Sequence, residues 1–352
     1  MTYSTRSELI ARVLAGSWHA SPSPLELSIE ELEVVLSTLL ETGAGGLAWW
    51  RARFSSVQDS NSASELQQAY RLYTLQAARH ERDLGQIFAL LHENNVEAIL
   101  VKGWAVARLY PKPGLRPYGD IDLCVRPNDY RRADTLLNSR ESNHYNVDLH
   151  RGFALLDHHS WEELYSRSVE QNLEDNCVRL LCAEDHLRVL CFHFLREGAW
   201  RPLWLCDVAV ALESRPADFD WNLFLGSNRK RAGWFVCTIL LAHKLLQASF
   251  EEVPPAITAK SLPRWFVGAV LKAWQVRAMQ RRHLTPMTTV WRRPTYALEG
   301  LRDHWPNPIE GTIGVRGPFN ELPRLPFQIG NCLGRTADFF LQQAKRTRAA
   351  KS

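Results

Sequence analysis

"ILVKGWAVARLYPKPGLRPYGDIDLCV" spans Ile99 to Val125, and its reading decides the fold. It opens as an apolar, strand-like run, breaks at Lys102-Gly103, and continues as "WAVARLY", which fits two turns of helix. A Pro/Gly-rich loop carrying Arg116 follows, and "DIDLCV" re-enters a strand. In a strand, residues i and i+2 share a face. Asp120 and Asp122 are therefore expected side by side, with Ile121 and Leu123 turned into the core. Two parallel carboxylates repel unless a divalent cation bridges them, and hard oxygen ligands suit Mg²⁺ or Mn²⁺. Downstream, "YNVDLHRGF" (145–153) alternates as a third strand and offers Asp148. If it pairs beside the first, three carboxylates (Asp120, Asp122 and Asp148) converge as metal ligands and catalytic groups.

Working outward, residues 64–94 read as one long or two abutting helices, with Leu66, Tyr70, Tyr73, Leu84, Ile87, Leu90 and Leu91 as the apolar face. "RPNDYRRADTLLNS" reads as a helix. Residues 64–155 thus form a mixed α/β core. Before it, 1–63 reads as short helices, among them "SIEELEVVLSTLLETG" with a capping signal at its start. From 156 to 283 the chain reads as mostly helical, through "AEDHLRVLCFHFL", "PLWLCDVAVALE" and a buried helix at 234–246. The Pro- and Gly-bearing stretch 284–332 predicts an extended, irregular segment, and 335–351 a final helix. The fold class is α+β: a small mixed sheet flanked by helices, with a mostly helical C-terminal half.

Bulk properties narrow the function. The chain has 352 residues, 45% apolar and 23% charged, which is a globular profile. A net charge of +4 is too weak to imply a polyanion partner by itself. No uncharged apolar window long enough for a membrane span occurs, and the first residues lack the apolar core of a secretion signal. Seven cysteines without a C-x-x-C pair read as buried free thiols in a reducing, cytoplasmic setting.

Lys102-Gly103 joins a strand to a helix, where glycine lets backbone approach a ligand and a helix start favours phosphate. Lys102 adds a point charge, and Arg116 a fork for phosphate oxygens. His150 shares a strand face with Asp148, which suits a phosphate or acceptor contact and equally a structural role. His186 and His193 share one helical face and read as core residues. Asp207 sits in an apolar helix and needs a buried partner. From Lys260 to Leu298 there are eight Lys/Arg and no acid, interleaved with Trp265, Trp274 and Trp291. Single-stranded nucleic acid is one reading of that stretch, and a cationic face over core tryptophans the preferred one.

Lys-Gly, a loop Arg, Asp-x-Asp-Leu and hydrophobic-Asp-Leu-His together resemble the uncharacterised bacterial nucleotidyltransferase family related to the DNA polymerase β superfamily. Here these are Lys102-Gly103, Arg116, Asp120-Ile121-Asp122-Leu123 and Val147-Asp148-Leu149-His150. The resemblance covers roughly 65–245. It implies a minimal nucleotidyltransferase fold whose helical region closes a cleft, with Asp120 and Asp122 on Mg²⁺ and triphosphate and Asp148 completing the metal site. It implies an NTP donor, ATP favoured, and an acceptor that is a small molecule, peptide or protein in a biosynthetic setting. The chain departs from the wider superfamily, where Gly-Ser closely precedes D-x-D: Gly103 is followed by Trp104, and Asp120 comes 17 residues later. The triphosphate grip then falls to Lys102 and Arg116, with Gly103 and His150 as further nucleotide-binding residues. Two rivals use the same residues: transfer of γ-phosphate or pyrophosphate, and non-catalytic binding of nucleotide or peptide.

Overall fold

Three strands from the quoted region and its sequel meet in register. β1 (Ala98–Leu100) pairs antiparallel with β2 (Ile121–Val125), and β2 pairs parallel with β3 (Val147–Arg151), placing Asp122 opposite Asp148. The computed structural model describes residues 5–139, 145–152, 156, 159–173, 176–275 and 304–349. The N-terminal helices are α1 (Arg6–Leu14), α2 (Ile29–Glu41) and α3 (Gly45–Ala52), with capping boxes at Thr5 and Ser28 starting the first two. A single helix of 33 residues, α4 (Asn61–Glu93), then leads into β1. Short α5 (Trp104–Ala107) separates β1 from β2, and α6 (Tyr130–Leu137) separates β2 from β3.

The sheet does not end at residue 155. After α7 (Trp161–Arg167), a hairpin of β4 (Val169–Leu173) and β5 (Asn176–Leu180) completes a five-stranded sheet of order β3-β2-β1-β5-β4, with β5 parallel to β1. The region after 156, read as mostly helical, thus also carries two strands of the sheet. β4, "VEQNL", is an edge strand whose interior positions are polar, so it lacks the apolar run that marks a buried strand.

One face of the sheet packs Leu100, Leu123, Val125, Val178 and Leu180 against Leu84, Ile87, Phe88 and Leu91 of α4 and Ala133 and Leu137 of α6. On the other face, Ile99, Val101 and Cys124 meet Trp161, Leu164 and Val189. The helical half comprises α8 (Ala183–Arg196), α9 (Pro202–Glu213), α10 (Trp221–Leu225), α11 (Arg229–Leu246), α12 (Pro255–Thr258) and α13 (Arg264–Gln275). Its core is continuous with the N-terminal helices: Ile10, Leu14, Leu39 and Leu47 belong to the same apolar cluster as Phe194, Leu205 and Trp234. The N-terminal region is therefore part of the helical body.

Within 284–332, the described part from residue 304 carries two helices joined by a loop, where the sequence predicts an irregular segment. α14 (Pro308–Gly314) begins with an Asn307 capping box and Pro308 in its first turn, where proline favours a helix. α15 (Leu325–Ala349) starts ten residues before the predicted final helix. Gly311 and Gly314, which resemble loop signals, are packing sites: a Cβ on Gly311 would lie 2.8 Å from the Gln328 Cα. Residues 276–298 of the basic stretch lie outside the described residues. In its described part Trp274 is buried and donates to the Ala199 carbonyl, while Trp265 donates to that of Asn320, as core tryptophans do. All seven cysteines are free, five of them buried. Among the described residues, no helix is long and apolar enough to cross a membrane.

Candidate active site

The site forms at the end of the sheet where β1 finishes and β2 begins. The Val101 N–H donates to the Asp122 carbonyl at 3.0 Å, so Lys102, the next residue, lies beside the Asp122 side chain. Lys102 Nζ is 2.6 Å from Asp122 Oδ1. On the neighbouring strand, His150 Nε2 lies 3.4 Å from the same oxygen and 3.3 Å from Asp148 Oδ2. Asp122 is only 2% exposed, whereas the Asp148 side chain is 57% exposed. The arrangement is thus a buried carboxylate at the back, an imidazole beside it, and an open carboxylate at the front.

Electrostatics keep this group charged. Burial pushes the Asp122 carboxyl up, but the His150 hydrogen bond and the Lys102 ammonium outweigh it and hold it below the usual carboxylate range. The His150 imidazole is pushed up, first by its bond to Asp122, against the opposing effect of burial.

Ligand atoms of Asp122, Asp148 and His150 all lie within 4.8 Å of one another. Two carboxylates and an imidazole fit a divalent cation. Asp120, expected as a third carboxylate, sits outside this group. It precedes β2, is exposed, and stands on the lip of the cleft. His150 completes the cluster instead, which fits its strand face with Asp148.

Gly103 turns the chain out of β1 at φ +60°, ψ −115°. A Cβ there would lie 3.1 Å from the Asp120 carbonyl. The strain for any other residue is on the order of 1–3 kcal/mol. Gly103→Ala is expected to lower the unfolding free energy by about that amount, with denaturant titration as the measurement. An unchanged midpoint would show that the turn relaxes without cost.

Behind the acids lies a cleft of about 390 Å³. Its sheet-side wall carries Lys102, Gly103, Tyr118, Asp120 and Asp122, and its helical wall Tyr73, Gln76, His193, Arg201 and Trp204. Arg116 also lines it, but its fork is taken. Nε donates to both Asp207 oxygens at 3.2 Å and Nη2 to Oδ2 at 2.8 Å. Tyr110 donates its hydroxyl to Asp207 Oδ1 at 2.8 Å. The expectation that Asp207 needs a buried partner is met by Arg116. The sequence offers no sign of Arg201, Trp204 or Tyr73 as cleft residues, because nothing local ties α4 and α9 to β2.

His186 is buried, while His193 reaches the cleft rather than the core alone. Burial and then Arg108 push the His186 pKa down to about 4. Burial and then Lys102 and Arg116 push that of His193 down to about 3. Both imidazoles are neutral in the fold, whereas the unfolded chain protonates them near 6.5. Their contribution to stability is complete above that pH and is lost as pH falls towards the folded values, at up to about 1.4 kcal/mol per unit for each. Urea unfolding at pH 7.5 and 5 is expected to show this loss, and His193→Gln to reduce it. Equal losses in wild type and variant would contradict the assignment.

A sequence profile of the family described as "Uncharacterised nucleotidyltransferase" matches residues 33–247. No curated protein matches the chain. Among solved structures, an antigenic nucleotidyltransferase-like protein from Paracoccidioides brasiliensis is similar at 14% identity and a TM-score of 0.32, covering 59% of this chain and 93% of that one.

Proposed function

The chain belongs to the uncharacterised nucleotidyltransferase family, and from that premise we propose that it transfers a nucleoside monophosphate, AMP from ATP in the favoured case, to an acceptor hydroxyl or phosphate with release of pyrophosphate. One observation carries the reading. Asp122 and Asp148 stand in register on parallel strands, with His150 between them and Lys102 against the buried carboxylate. Asp122, Asp148 and His150 would hold Mg²⁺ or Mn²⁺, with Asp120 on the lip as a further oxygen donor. A divalent cation there supplies neutralisation of charge on the phosphate oxygens.

The protein groups divide the remaining work. Lys102 keeps Asp122 ionised, and its other ammonium hydrogens are available to a phosphate oxygen. Gly103 lets a phosphate approach the backbone without a side chain in the way. Asp148, exposed at the front, accepts the proton of the attacking hydroxyl at a carboxylate oxygen. The acceptor oxygen bonds the α-phosphorus, the α–β anhydride bond breaks in line, and pyrophosphate leaves with the electron pair. Arg116 serves this reaction as the buttress of the cleft floor through Asp207.

The test is incubation with Mg²⁺ and each α-³²P-labelled NTP, with and without a small-molecule and peptide extract. Label transfer with pyrophosphate release, absent in Asp122→Asn, is the expected result. Transfer of a γ-label in its place would make the protein a phosphoryl transferase. NTP binding without either transfer would mark a nucleotide-binding protein.

A further inference from the structure

Three cationic side chains face the cleft, and two are already neutralised: Lys102 by Asp122 at 2.6 Å, and Arg116 by Asp207 at 2.8 Å. The third, Arg201, is different. It sits just before α9 on the helical wall, half-buried, and among the described residues it forms no ion pair. Its Nε donates to the Thr42 carbonyl at 2.6 Å, which fixes the guanidinium plane. The Trp204 ring lies 5.5 Å below it. Gly43, at φ +75°, leaves room for the head group: a Cβ there would lie 2.6 Å from Arg201 Nη2. Of the nearby acids, Asp207 is committed to Arg116, Asp122 to Lys102, Glu41 is engaged elsewhere, and Asp120 stands on the exposed lip.

A positive charge partly buried without an ion-pair partner is costly, and a ligand anion offsets that cost. Burial and then the like charge of Arg116 push the Arg201 pKa down to about 10, so it stays protonated at neutral pH while carrying that cost. Among the described residues its two terminal nitrogens bond no protein acceptor, and a guanidinium fork matches phosphate oxygens in pairs.

We propose that Arg201 is a polyphosphate subsite, on the same cleft as Asp120 and Asp122, that receives the distal phosphates of the donor and then the departing pyrophosphate. The identity of the anion rests on the nucleotidyl-transfer reading, and the anion preference itself rests on the geometry. Held at Arg201, the β- and γ-phosphates extend away from the α-phosphorus beside Asp122, which aligns the bond that breaks. This assigns to α9 the grip that the sequence motif leaves to Arg116.

Calorimetric titration with inorganic tripolyphosphate, ATP and adenosine, in Mg²⁺, tests it on wild type, Arg201→Gln and Arg201→Lys. Tripolyphosphate and ATP are expected to bind about tenfold or more weakly to the Gln variant, with part of the loss restored in the Lys variant and adenosine unchanged. Both variants lose the Nε–H that donates to Thr42, so a purely structural role of that bond predicts equal losses in both and would overturn the proposal. Wild-type affinity for tripolyphosphate in Arg201→Gln would overturn it as well. An acceptor phosphate as the true occupant would leave ATP affinity intact in Arg201→Gln, which also overturns it. Failure of the transfer reading is a separate result: no α-label transfer, while tripolyphosphate binding still depends on Arg201.

Discussion

Asp122→Asn is expected to lower the rate of label transfer by on the order of 10²–10³-fold or more, while the protein remains folded. The residue is nearly inaccessible, and its carboxylate pairs with both Lys102 and His150. Asparagine keeps the shape and removes the charge, so the loss reports electrostatics rather than packing. Two secondary effects distinguish this from general damage. The His150 imidazole loses the partner that raises its pKa, so its NMR titration should move down. The midpoint for Mg²⁺ or Mn²⁺ activation should rise, because one of two carboxylates in the cluster is gone. Asp148→Asn should share the second effect and spare Lys102. Near wild-type transfer by Asp122→Asn would remove the acids of β2 and β3 from the reaction.

The second large effect concerns stability. Asp207 is 1% exposed and accepts from Arg116 and Tyr110. Asp207→Asn leaves the Arg116 charge buried without its counter-ion, a change worth about 3–5 kcal/mol in comparable pairs. A fall in Tm of roughly 5–15 °C is expected. Replacing both charges, as Arg116→Met with Asp207→Leu, removes the need for compensation and should recover much of the loss. If that double variant binds ATP as wild type does, Arg116 acts as a buttress and not as a phosphate ligand. If ATP binding collapses while Tm is restored, Arg116 touches the nucleotide after all. A single variant within about 1 kcal/mol of wild type would show that water reaches the pair.

Much of the sheet was legible because its signals are local. The apolar run before Lys102, the alternation of "DIDLCV" and the third strand at 147–151 each follow from side-chain period. Parallel pairing of β2 with β3 then brought Asp122 and Asp148 together as anticipated. What escaped reading was set at long range. Period alone put Asp120 and Asp122 on equal terms, but β2 starts at Ile121, so one acid is buried and the other lies on the lip. Arg116 appeared free because its partner is 91 residues away on α9. The hairpin at 169–180 was hidden by a polar edge strand, and α14 by glycines whose purpose is the close approach of another helix. Arg201 bore no mark at all, since its meaning comes from facing a cleft that two distant segments enclose.

Helix α4 runs about 50 Å at the usual rise per residue. Leu66 near its start is set in the helical core, and Leu84 to Leu91 near its end are set in the sheet core. Tyr73 and Gln76, between these anchorages, face the cleft. The two walls are therefore jaws mounted on one beam. Their spacing is set by the packing of one helix at its two ends. A change in the length of that helix would then alter the width of the cleft without touching a residue that lines it.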